Sequence, residues 1–417
     1  MKYLAYSLLV IFCLFSTQPI QAKKEKKNSM PKFIQIDGPN LLAPNGEKFF
    51  IKGTNLGNWL NPEGYMFLFK RTNAPRLIDQ AFKEMAGPDF ANQFWKLFKD
   101  NYVTRADINY LKKTGTNTIR LPFHYKLFTN EDYMGMESEQ DGFQRTDSLI
   151  SWCRNAGIYI ILDMHDAPGG QTGDNIDDSY GYPWLFASQE SQKKFLDIWT
   201  KIASRYGNEP VVLGYDLLNE PIAPYFGDDM PKLNAALEPL YKRAVAAIRQ
   251  VDKNHIILLG GAQWDGNFDE FTDWKFDDKI MYTCHRYGGG TNADAIRKII
   301  DFRNKTNLPM YMGEIGHNKN VWIASFCKTM EDNNIGYTFW PYKKMGDSTS
   351  FVHVKQPENW EKIIEFTEKP RSNYKEVREA RPDQALTQKA LLDYIECCKF
   401  ANCTKNDNYI KALGLRP

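Results

Sequence analysis

The stretch Val212–Pro221 reads VLGYDLLNEP, an apolar run of strand length that ends in an amide, a carboxylate and a proline. Similar runs recur on both sides of it. They are short and continuous rather than alternating, which is typical of parallel strands covered on both faces. The eight predicted strands are 51–56, 117–121, 158–164, 212–218, 255–260, 280–284, 310–313 and 337–340.

Amphipathic stretches between most of these strands predict helices, at 91–99, 103–113, 146–156, 191–206, 233–251, 293–304 and 321–333. The segment between Gly261 and Lys279 is short and polar, so we expect its helix to be degenerate. Eight strand–helix alternations within roughly 300 residues predict an α/β fold of the (β/α)8 TIM-barrel type. A doubly wound open sheet is disfavoured because no glycine-rich phosphate loop opens a helix after the first strand.

The segments outside this alternation predict smaller additions to the barrel. Phe33–Asp37 and Phe49–Ile51 flank a turn rich in Gly, Pro and Asn and predict an N-terminal β-hairpin. Apolar patterns at 360–367 and 388–400 predict a C-terminal helical extension on the barrel exterior. Residues 33–417 are therefore expected to form one barrel domain.

The N-terminus has the composition of a processing segment. Lys2 precedes the apolar run Tyr3–Phe15, and Ala22 is a small residue suitable for cleavage. The run is too short to span a bilayer. We predict a signal peptide at 1–22, a basic linker at 23–32 and export to the extracellular space or the periplasm, with no membrane span.

The charge balance limits the class of ligand. The 417 residues include 53 basic and 51 acidic side chains, which create no field favouring nucleic acid or an anionic membrane. A neutral substrate and a monomeric protein fit this balance. Single cysteines in apolar stretches predict buried thiols, whereas the tail trio either holds one disulfide or none: Cys397, Cys398 and Cys403.

Barrel proteins place functional groups at the carboxyl ends of their strands. These positions here carry Arg120, Asp163, His165, Asn219, Glu220, His285, Tyr287, Glu314 and Trp340. Burying an unpaired carboxylate costs several kcal/mol, so a strand has no structural use for one. Two glutamates at the ends of separate strands are the pair that a retaining glycosidase places roughly 5 Å apart, as acid/base and nucleophile.

The two glutamates take different predicted roles. Glu220 is the candidate acid/base, and its neighbour Asn219 is suited to bind a sugar 2-hydroxyl. Glu314 is the candidate nucleophile and must stay ionised, for which Arg120 and Tyr287 are the available donors. Taken alone, Glu220–Pro221 also fits a helix N-terminus.

The remaining strand-end residues predict substrate contacts. His165 and His285 are expected to orient carboxylates or bind hydroxyls, and Trp340 offers a flat apolar face for a sugar ring. Further candidate platforms are Trp59, Trp184 and Trp264.

Metal chemistry is the competing hypothesis for a face with Asp163, His165, His285 and Glu314. No His-x-His pair or His-Glu-x-x-His helix is present, so we predict no metal centre. The acidic loop 174–178 lacks the glycine and the distal glutamate of an EF-hand and is predicted to be solvated and substrate-facing.

The motifs resemble glycoside hydrolase family five, the cellulase-type (β/α)8 enzymes of clan A. The resemblance rests on five motifs, namely IRLP at 119–122, DMH at 163–165, LNEP at 218–221, HRY at 285–287 and GEIG at 313–316. The recurring family set of Arg, His, Asn, Glu, His, Tyr, Glu and Trp is matched in chain order by Arg120, His165, Asn219, Glu220, His285, Tyr287, Glu314 and Trp340. Membership implies retention by double displacement without a cofactor, with Glu220 as acid/base and Glu314 as nucleophile.

The stretch Gly53–Leu60 and the residues at 165–171 are similar to the exo-β-1,3-glucanase branch of that family. Asp166 departs from the branch, which usually carries glycine there, and is expected to place a new carboxylate near the cleft mouth. The segments 62–90 and 172–184 are predicted to block one end of the cleft, which favours exo action.

We therefore predict a retaining β-glycosidase that acts on β-linked oligo- or polysaccharides of glucose, of the exo-β-glucanase or β-glucosidase kind. An endo-β-glucanase, a β-mannanase and a non-catalytic carbohydrate-binding barrel remain open as alternatives.

Overall fold

The centre of the computed structural model, which describes residues 33–346 and 349–417, is a closed barrel of eight parallel strands. Three strands precede the barrel, β1 (Gln35–Asp37), β2 (Asn40–Leu42) and β3 (Lys48–Phe49). The barrel strands are β4 (Lys52–Asn55), β5 (Thr118–His124), β6 (Tyr159–Asp166), β7 (Val212–Asp216), β8 (Ile256–Gly260), β9 (Ile280–His285), β10 (Met310–Glu314) and β11 (Gly336–Phe339). A last small sheet contains β12 (Lys343–Met345), β13 (Val352–Val354) and β14 (Thr404–Lys405).

Helices connect the strands and cover the barrel. They are α1 (Pro75–Ala86), α2 (Pro88–Asn101), α3 (Arg105–Thr114), α4 (Glu139–Ala156), α5 (Gln189–Tyr206), α6 (Met230–Ile248), α7 (Ala262–Asp265), α8 (Arg297–Thr306), α9 (Asn320–Asp332), α10 (Trp360–Glu368), α11 (Tyr374–Ala380), α12 (Gln384–Cys398) and α13 (Asp407–Ala412). None of the helices in the described ranges is long and apolar enough to cross a membrane.

The predicted (β/α)8 barrel is confirmed, since all eight predicted strands form it in the expected order. The expectation of a degenerate helix after β8 is confirmed as well. That segment, α7, spans four residues, and Gln263 and Trp264 have left-handed backbone angles, with φ of 50° and 57°.

Three of the additions to the barrel contain more elements than the sequence predicts. The N-terminal hairpin is a three-stranded antiparallel sheet, because Gly38 takes a positive φ of 56° and lets Asp37 pair with Asn40. The segment 62–90, which was predicted to block one end of the cleft, contains the helix α1. The C-terminal extension also carries α11, α13 and the small sheet, which short and weakly periodic segments did not predict.

An aromatic cluster joins the segment 62–90 to the C-terminal extension. Phe67, Phe82 and Trp95 are fully buried against one another and against Trp360 and Tyr394. Burying an aromatic side chain removes 150–250 Å² from water, so five such rings contribute a large share of the local stability. The cluster thereby anchors this segment, which follows β4, to the C-terminal extension.

A buried lysine links the end of the barrel to the extension. Lys343 is fully buried, its Nζ lies 2.6 Å from an oxygen of Asp107 in α3, and it donates to the carbonyl of Cys398 in α12 over 2.9 Å. Removing one partner of a buried ion pair is strongly destabilising, typically by about 3–5 kcal/mol. The six cysteines of the described residues are free thiols, and Cys398 is among the buried ones.

Gly53 in β4 provides a test of barrel closure. A Cβ at this position would lie 1.8 Å from the carbonyl oxygen of Thr118 in β5. The backbone cannot move away without breaking the hydrogen bonds between β4 and β5. We therefore expect Gly53→Ala to lower the free energy of unfolding by about 3 kcal/mol or more. Urea unfolding measures the loss, with Gly288→Ala as control because a Cβ there would meet no atom within 4 Å. Equal stability of the two variants would contradict the packing described for β4.

Candidate active site

The carboxyl ends of the barrel strands surround a cavity of about 240 Å³. Its walls are formed by Glu63, Tyr65, His165, Ile176, Asn219, Glu220, Tyr287, Glu314, His317 and Trp340. Six of the eight predicted site residues line it, and the other two, Arg120 and His285, contact its carboxylates from behind. The structure thus brings all eight together at the end of the barrel where strand-end chemistry is expected.

Arg120 on β5 is a fully buried cation at the floor of the cavity. Its guanidinium donates to Glu314 Oε1 over 2.7 Å, to Asn219 Oδ1 over 3.0 Å and to Asp216 Oδ2 over 2.8 Å. It also pairs with Asp163 at 3.0 Å. The guanidinium therefore already lies among the carboxylates that a metal ion would need as ligands. The role of Asp216 was missed, although a carboxylate inside an apolar strand was a signal for it.

Glu314, the last residue of β10, is ionised at neutral pH. Burial by itself would raise its pKa, but the positive charges of His285, Arg120 and His165 and the hydrogen bond from Tyr287 lower the pKa to about 2. The Tyr287 hydroxyl donates to Glu314 Oε2 over 2.6 Å. Since burial and the nearby carboxylate raise the pKa of Tyr287 well above its usual value, the hydroxyl remains a donor.

Glu220 lies beyond the end of β7 in a strained conformation. Its φ is +47°, in the left-handed region that non-glycine residues rarely adopt. Thr172 Oγ1 donates to its carbonyl over 2.8 Å, and its own N–H donates to Asp265 Oδ2 over 3.2 Å. The alternative in which Glu220 begins a helix is wrong, because α6 starts only at Met230.

The two glutamates face each other across His285. A carboxylate oxygen of Glu220 and one of Glu314 lie within 4.8 Å of each other. His285 Nδ1 donates to Glu220 Oε1 over 2.9 Å and lies 3.7 Å from Glu314 Oε2. Burial lowers the pKa of His285, but Glu314, Asp265 and Glu220 together raise it to about 9, so the imidazole is a cation at neutral pH.

Asp265 is a fully buried carboxylate behind this imidazole. Its Oδ2 lies 3.3 Å from His285 Nε2 and also accepts the backbone N–H of Glu220. It ends the left-handed run in α7, with a φ of +59°. Sequence reasoning missed it, although the rule of polar residues after strand ends, applied to β8, would have found it.

We expect Asp265→Asn to lower the pKa of His285 from about 9, because the Asp265 carboxyl is one of the groups that raise it, although burial also raises the pKa of Asp265 itself. Imidazole ¹⁵N NMR titration of the six histidines measures this directly. Asp269→Asn, at an exposed position four residues after the end of α7, is the matched control. An unchanged His285 titration in a folded Asp265→Asn protein would show that Asp265 does not act on this imidazole.

Trp340 and His165 form the opposite wall of the cavity. Their rings stack at 5.2 Å with an interplanar angle of 3°, and Trp340 Nε1 donates to the Tyr65 hydroxyl. Burial lowers the pKa of His165, but Asp163 and Glu63 raise it to about 10. Its Nδ1 donates to Asp163 Oδ2 over 2.8 Å, and its Nε2 lies 3.6 Å from Glu63 Oε1.

Glu63 and Tyr65 are cavity residues that sequence reasoning also missed. Both follow β4 in the segment that was expected only to block the cleft. Glu63 is buried, burial raises its pKa, and its Oε1 has no donor among the described residues closer than His165 Nε2 at 3.6 Å. An unsatisfied buried acceptor is costly, so this oxygen is available to a hydroxyl group in the cavity.

Two expectations about the cleft are wrong. Asp166 is not at the cleft mouth but fully buried, where Oδ2 accepts the N–H of Asp178 over 2.7 Å and lies 3.2 Å from His124 Nε2. Trp59 is not a platform, since it is buried and its Nε1 donates to the carbonyl of Lys99. Partners distant in sequence draw both side chains inward.

The acidic loop is also less solvated than predicted. Asp177 is fully buried and accepts the backbone N–H of Thr172 over 2.7 Å, which fixes the loop from below. Burial raises the pKa of Asp177 to about 7. The loop does face the cavity through Ile176.

A family model described as "Cellulase (glycosyl hydrolase family 5)" matches residues 79–346. The chain belongs to glycosyl hydrolase family 5. The resemblance predicted from the sequence motifs is therefore confirmed at the level of the family.

This family-5 hydrolase is 30% identical over 257 residues to a protein named "Beta-xylosidase" from Phanerodontia chrysosporium, a match that covers 61% of this chain and 52% of that protein. The chain thus spans about half the length of this relative. It is 24% identical over 414 residues to a "Glucan 1,3-beta-glucosidase" from Lachancea kluyveri, covering 90% of this chain and 89% of that protein.

Among solved structures, the family-5 hydrolase is similar to a crystal structure of an endogalactoceramidase. The TM-score is 0.58 at 17% identity, and the match covers 76% of this chain and 75% of the other. At this identity the likeness shows a shared barrel fold.

Proposed function

We propose that this family-5 hydrolase is a retaining β-glycosidase that removes terminal units from β-linked glucans or gluco-oligosaccharides. The observation that carries the proposal is the pair Glu220 and Glu314, whose oxygens lie within 4.8 Å in one pocket. Retaining enzymes hold their two carboxyl groups about 5–5.5 Å apart, whereas inverting enzymes leave about 6.5–9.5 Å for a water molecule. The separation favours double displacement.

In the first step, Glu314 attacks the anomeric carbon while Glu220 gives its proton to the leaving-group oxygen. A covalent glycosyl-enzyme forms and the glycosidic C–O bond breaks. In the second step, Glu220 takes a proton from water, and the resulting hydroxide equivalent attacks the anomeric carbon and releases Glu314. Arg120 and Tyr287 keep Glu314 ionised between turnovers.

Hydroxyl recognition falls to the polar walls of the cavity. Asn219 lies next to the acid/base in the chain, where an amide suits the sugar 2-hydroxyl. The unsatisfied oxygen of Glu63 and the nearby His165 supply an acceptor and a donor for further hydroxyls. Trp340 offers an apolar face for the sugar ring.

Exo action is supported by the small size of the cavity. About 240 Å³ is below the roughly 300–1,000 Å³ that holds a drug-sized ligand, so the pocket suits one sugar unit rather than a chain passing through. Tyr65 and His317 are among the residues that line this pocket. Similarity to the Lachancea kluyveri glucan 1,3-beta-glucosidase supports a β-glucan as the substrate.

We propose export of this hydrolase on the basis of the basic and apolar pattern of residues 1–22, followed by the linker 23–32. Both segments lie outside the described residues. Residues 33–417 form the proposed glycosidase domain, and the monomeric state stays a prediction.

Hydrolysis of a linkage panel tests the proposal. The panel holds β-1,3-, β-1,4-, β-1,6- and mixed-linkage glucans, β-mannan and short oligosaccharides, with products resolved over time and the first anomer read by NMR. Glucose released as the β-anomer from the outset is the expected result. A ladder of oligomers would mean endo action, an initial α-anomer would mean inversion, and turnover of β-mannan alone would replace glucose by mannose. A complete lack of turnover would support a carbohydrate-binding barrel.

A further inference from the structure

A second cavity lies between α2 and α4, among the helices that cover the barrel. Its volume is about 300 Å³, against 240 Å³ for the active-site cavity, and the two share no lining residue. We call it the lateral cavity. Trp59 lines it together with Lys99 and Asp100 of α2, whereas the other two predicted sugar platforms, Trp184 and Trp264, line neither cavity.

One stripe of α4 forms the opposite wall of the lateral cavity. Its members are Asp141, Gln144, Arg145, Ser148 and Trp152. Spacings of three and four residues place these side chains on one face of the helix. A helix face that packs only against the protein core is apolar. This face instead combines hydrogen-bonding groups with a half-buried indole, which is the composition of a binding surface.

Lys99 is a buried amine without a counter-ion. It is 2% exposed, and none of the ion pairs among the described residues includes it. Its Nζ has one acceptor there, the carbonyl oxygen of Met134 at 2.6 Å, although an ammonium group has three N–H donors. Burial and the charge of Arg145 lower the pKa of Lys99 to about 7. A neutral oxygen acceptor in the cavity suits this amine in either protonation state.

Arg145 adds a second unused donor to the same cavity. Its Nη1 donates to Asp100 Oδ1 over 2.5 Å, but its buried Nε has no hydrogen-bond partner among the described residues. A buried donor without an acceptor is costly. Two cationic side chains from different helices therefore offer unused N–H groups at one cavity.

The charge balance of the lateral cavity indicates the class of ligand. Lys99 and Arg145 are offset by Asp100 and Asp141, so the wall has no excess of either sign that would attract an ion. Asp141 Oδ2 accepts the N–H of Glu137 over 3.1 Å, and its Oδ1 has no donor among the described residues. Hydroxyl groups both donate and accept, so they match a wall that offers both kinds of partner.

We infer that the lateral cavity binds a neutral sugar unit at a site separate from the catalytic cavity. The apolar C–H face of the sugar ring packs against Trp152, as such faces do against aromatic side chains. Lys99 and Arg145 donate to its hydroxyls, and Asp141 accepts from them. The inference needs a carbohydrate ligand but neither the linkage nor the exo mode proposed above. A polysaccharide with one unit in this cavity is held on the enzyme independently of catalysis.

Titration of the full-length protein with D-glucose tests the inference, since glucose has no glycosidic bond to be cleaved. The indole ¹H–¹⁵N NMR signals of Trp59 and Trp152 report on the lateral cavity, and that of Trp340 reports on the active site. We expect saturable shifts of all three signals, with the lateral pair following one binding curve and Trp340 another.

Arg145→Ala is the variant that addresses the lateral cavity. We expect it to raise the Kd read from Trp152 about tenfold or more and to leave the Trp340 curve unchanged. Its partner Asp100 is exposed, so the substitution strands no buried charge and the fold should persist. Arg154→Ala, which removes an exposed arginine from the same helix, is the matched control and should keep both curves.

Each other outcome overturns a defined part of the inference. Shifts of Trp340 alone would overturn the lateral site and leave the glycosidase assignment intact. Shifts of Trp152 with D-glucuronate but not with D-glucose would replace the neutral sugar by an anion. An unchanged Trp152 curve in Arg145→Ala would overturn the contacts assigned here. Shifts of the lateral pair without Trp340 would support the lateral site and count against a glucose unit in the catalytic cavity.

Discussion

Glu314→Gln is expected to lower kcat/KM about 10⁴-fold or more on every substrate, because an amide cannot form the glycosyl-enzyme. The amide oxygen can still accept hydrogen bonds from Arg120 and Tyr287, so the fold should persist. Steady-state kinetics on the panel substrate measures the loss, and circular dichroism checks the fold. Glu365→Gln, on the exposed face of α10, is the matched control with near-wild-type activity expected.

The same variant carries a pH signature. The pKa of Glu314 is about 2 in the folded protein, below its ordinary value of 4.5, so its ionisation stabilises the fold fully above pH 4.5. This contribution is lost as the pH falls through 2. Stability of the wild type should therefore decline more steeply between pH 4.5 and 2 than that of Glu314→Gln.

Near-normal turnover in a folded variant would remove Glu314 from the role of nucleophile.

Glu220→Ala is expected to act according to the leaving group. Without the acid, substrates with poor leaving groups should lose about 10²–10⁴-fold in kcat/KM, whereas activated aryl glycosides should still form the glycosyl-enzyme. Azide should then partly restore turnover of the aryl glycosides, because it attacks the intermediate without help from a base. Product analysis for the glycosyl azide measures the rescue.

The strained backbone at Glu220 calls for a second variant. Glycine adopts a φ of +47° without a steric penalty, so Glu220→Gly separates lost carboxylate chemistry from backbone relaxation. Equal kinetics of the alanine and glycine variants would assign the loss to the carboxylate. An equal loss on all substrates in both variants, without azide rescue, would contradict the acid/base role.

The barrel could be predicted because its strands are buried on both faces, which leaves continuous apolar runs in the sequence. The position of the site could be predicted for a related reason. Carboxylates, imidazoles and amides at the ends of such runs have no structural use there, so Glu220 and Glu314 stand out without any structure.

The errors share a physical origin in contacts between distant segments. Asp166 is drawn inward by His124 and by the backbone of Asp178, neither of which a local pattern identifies. Trp59 is buried by a helix some forty residues later, as its bond to Lys99 requires. Asp265 lies in a left-handed segment without hydrophobic periodicity, so its place shortly after the end of β8 is the one signal that the sequence offers for it.

The closure of the barrel also determines how far the chain can be truncated. The family match begins at residue 79, yet β4 lies at Lys52–Asn55 and is the strand that joins β11 to β5. It ends at residue 346, whereas Lys343 is anchored to Cys398 in α12. A clone trimmed to the matched span would express an open sheet with exposed edges and a buried lysine that lacks its hydrogen bond to the Cys398 carbonyl. The unit suited to fusion or recombination is therefore considerably longer than the span that the family model matches.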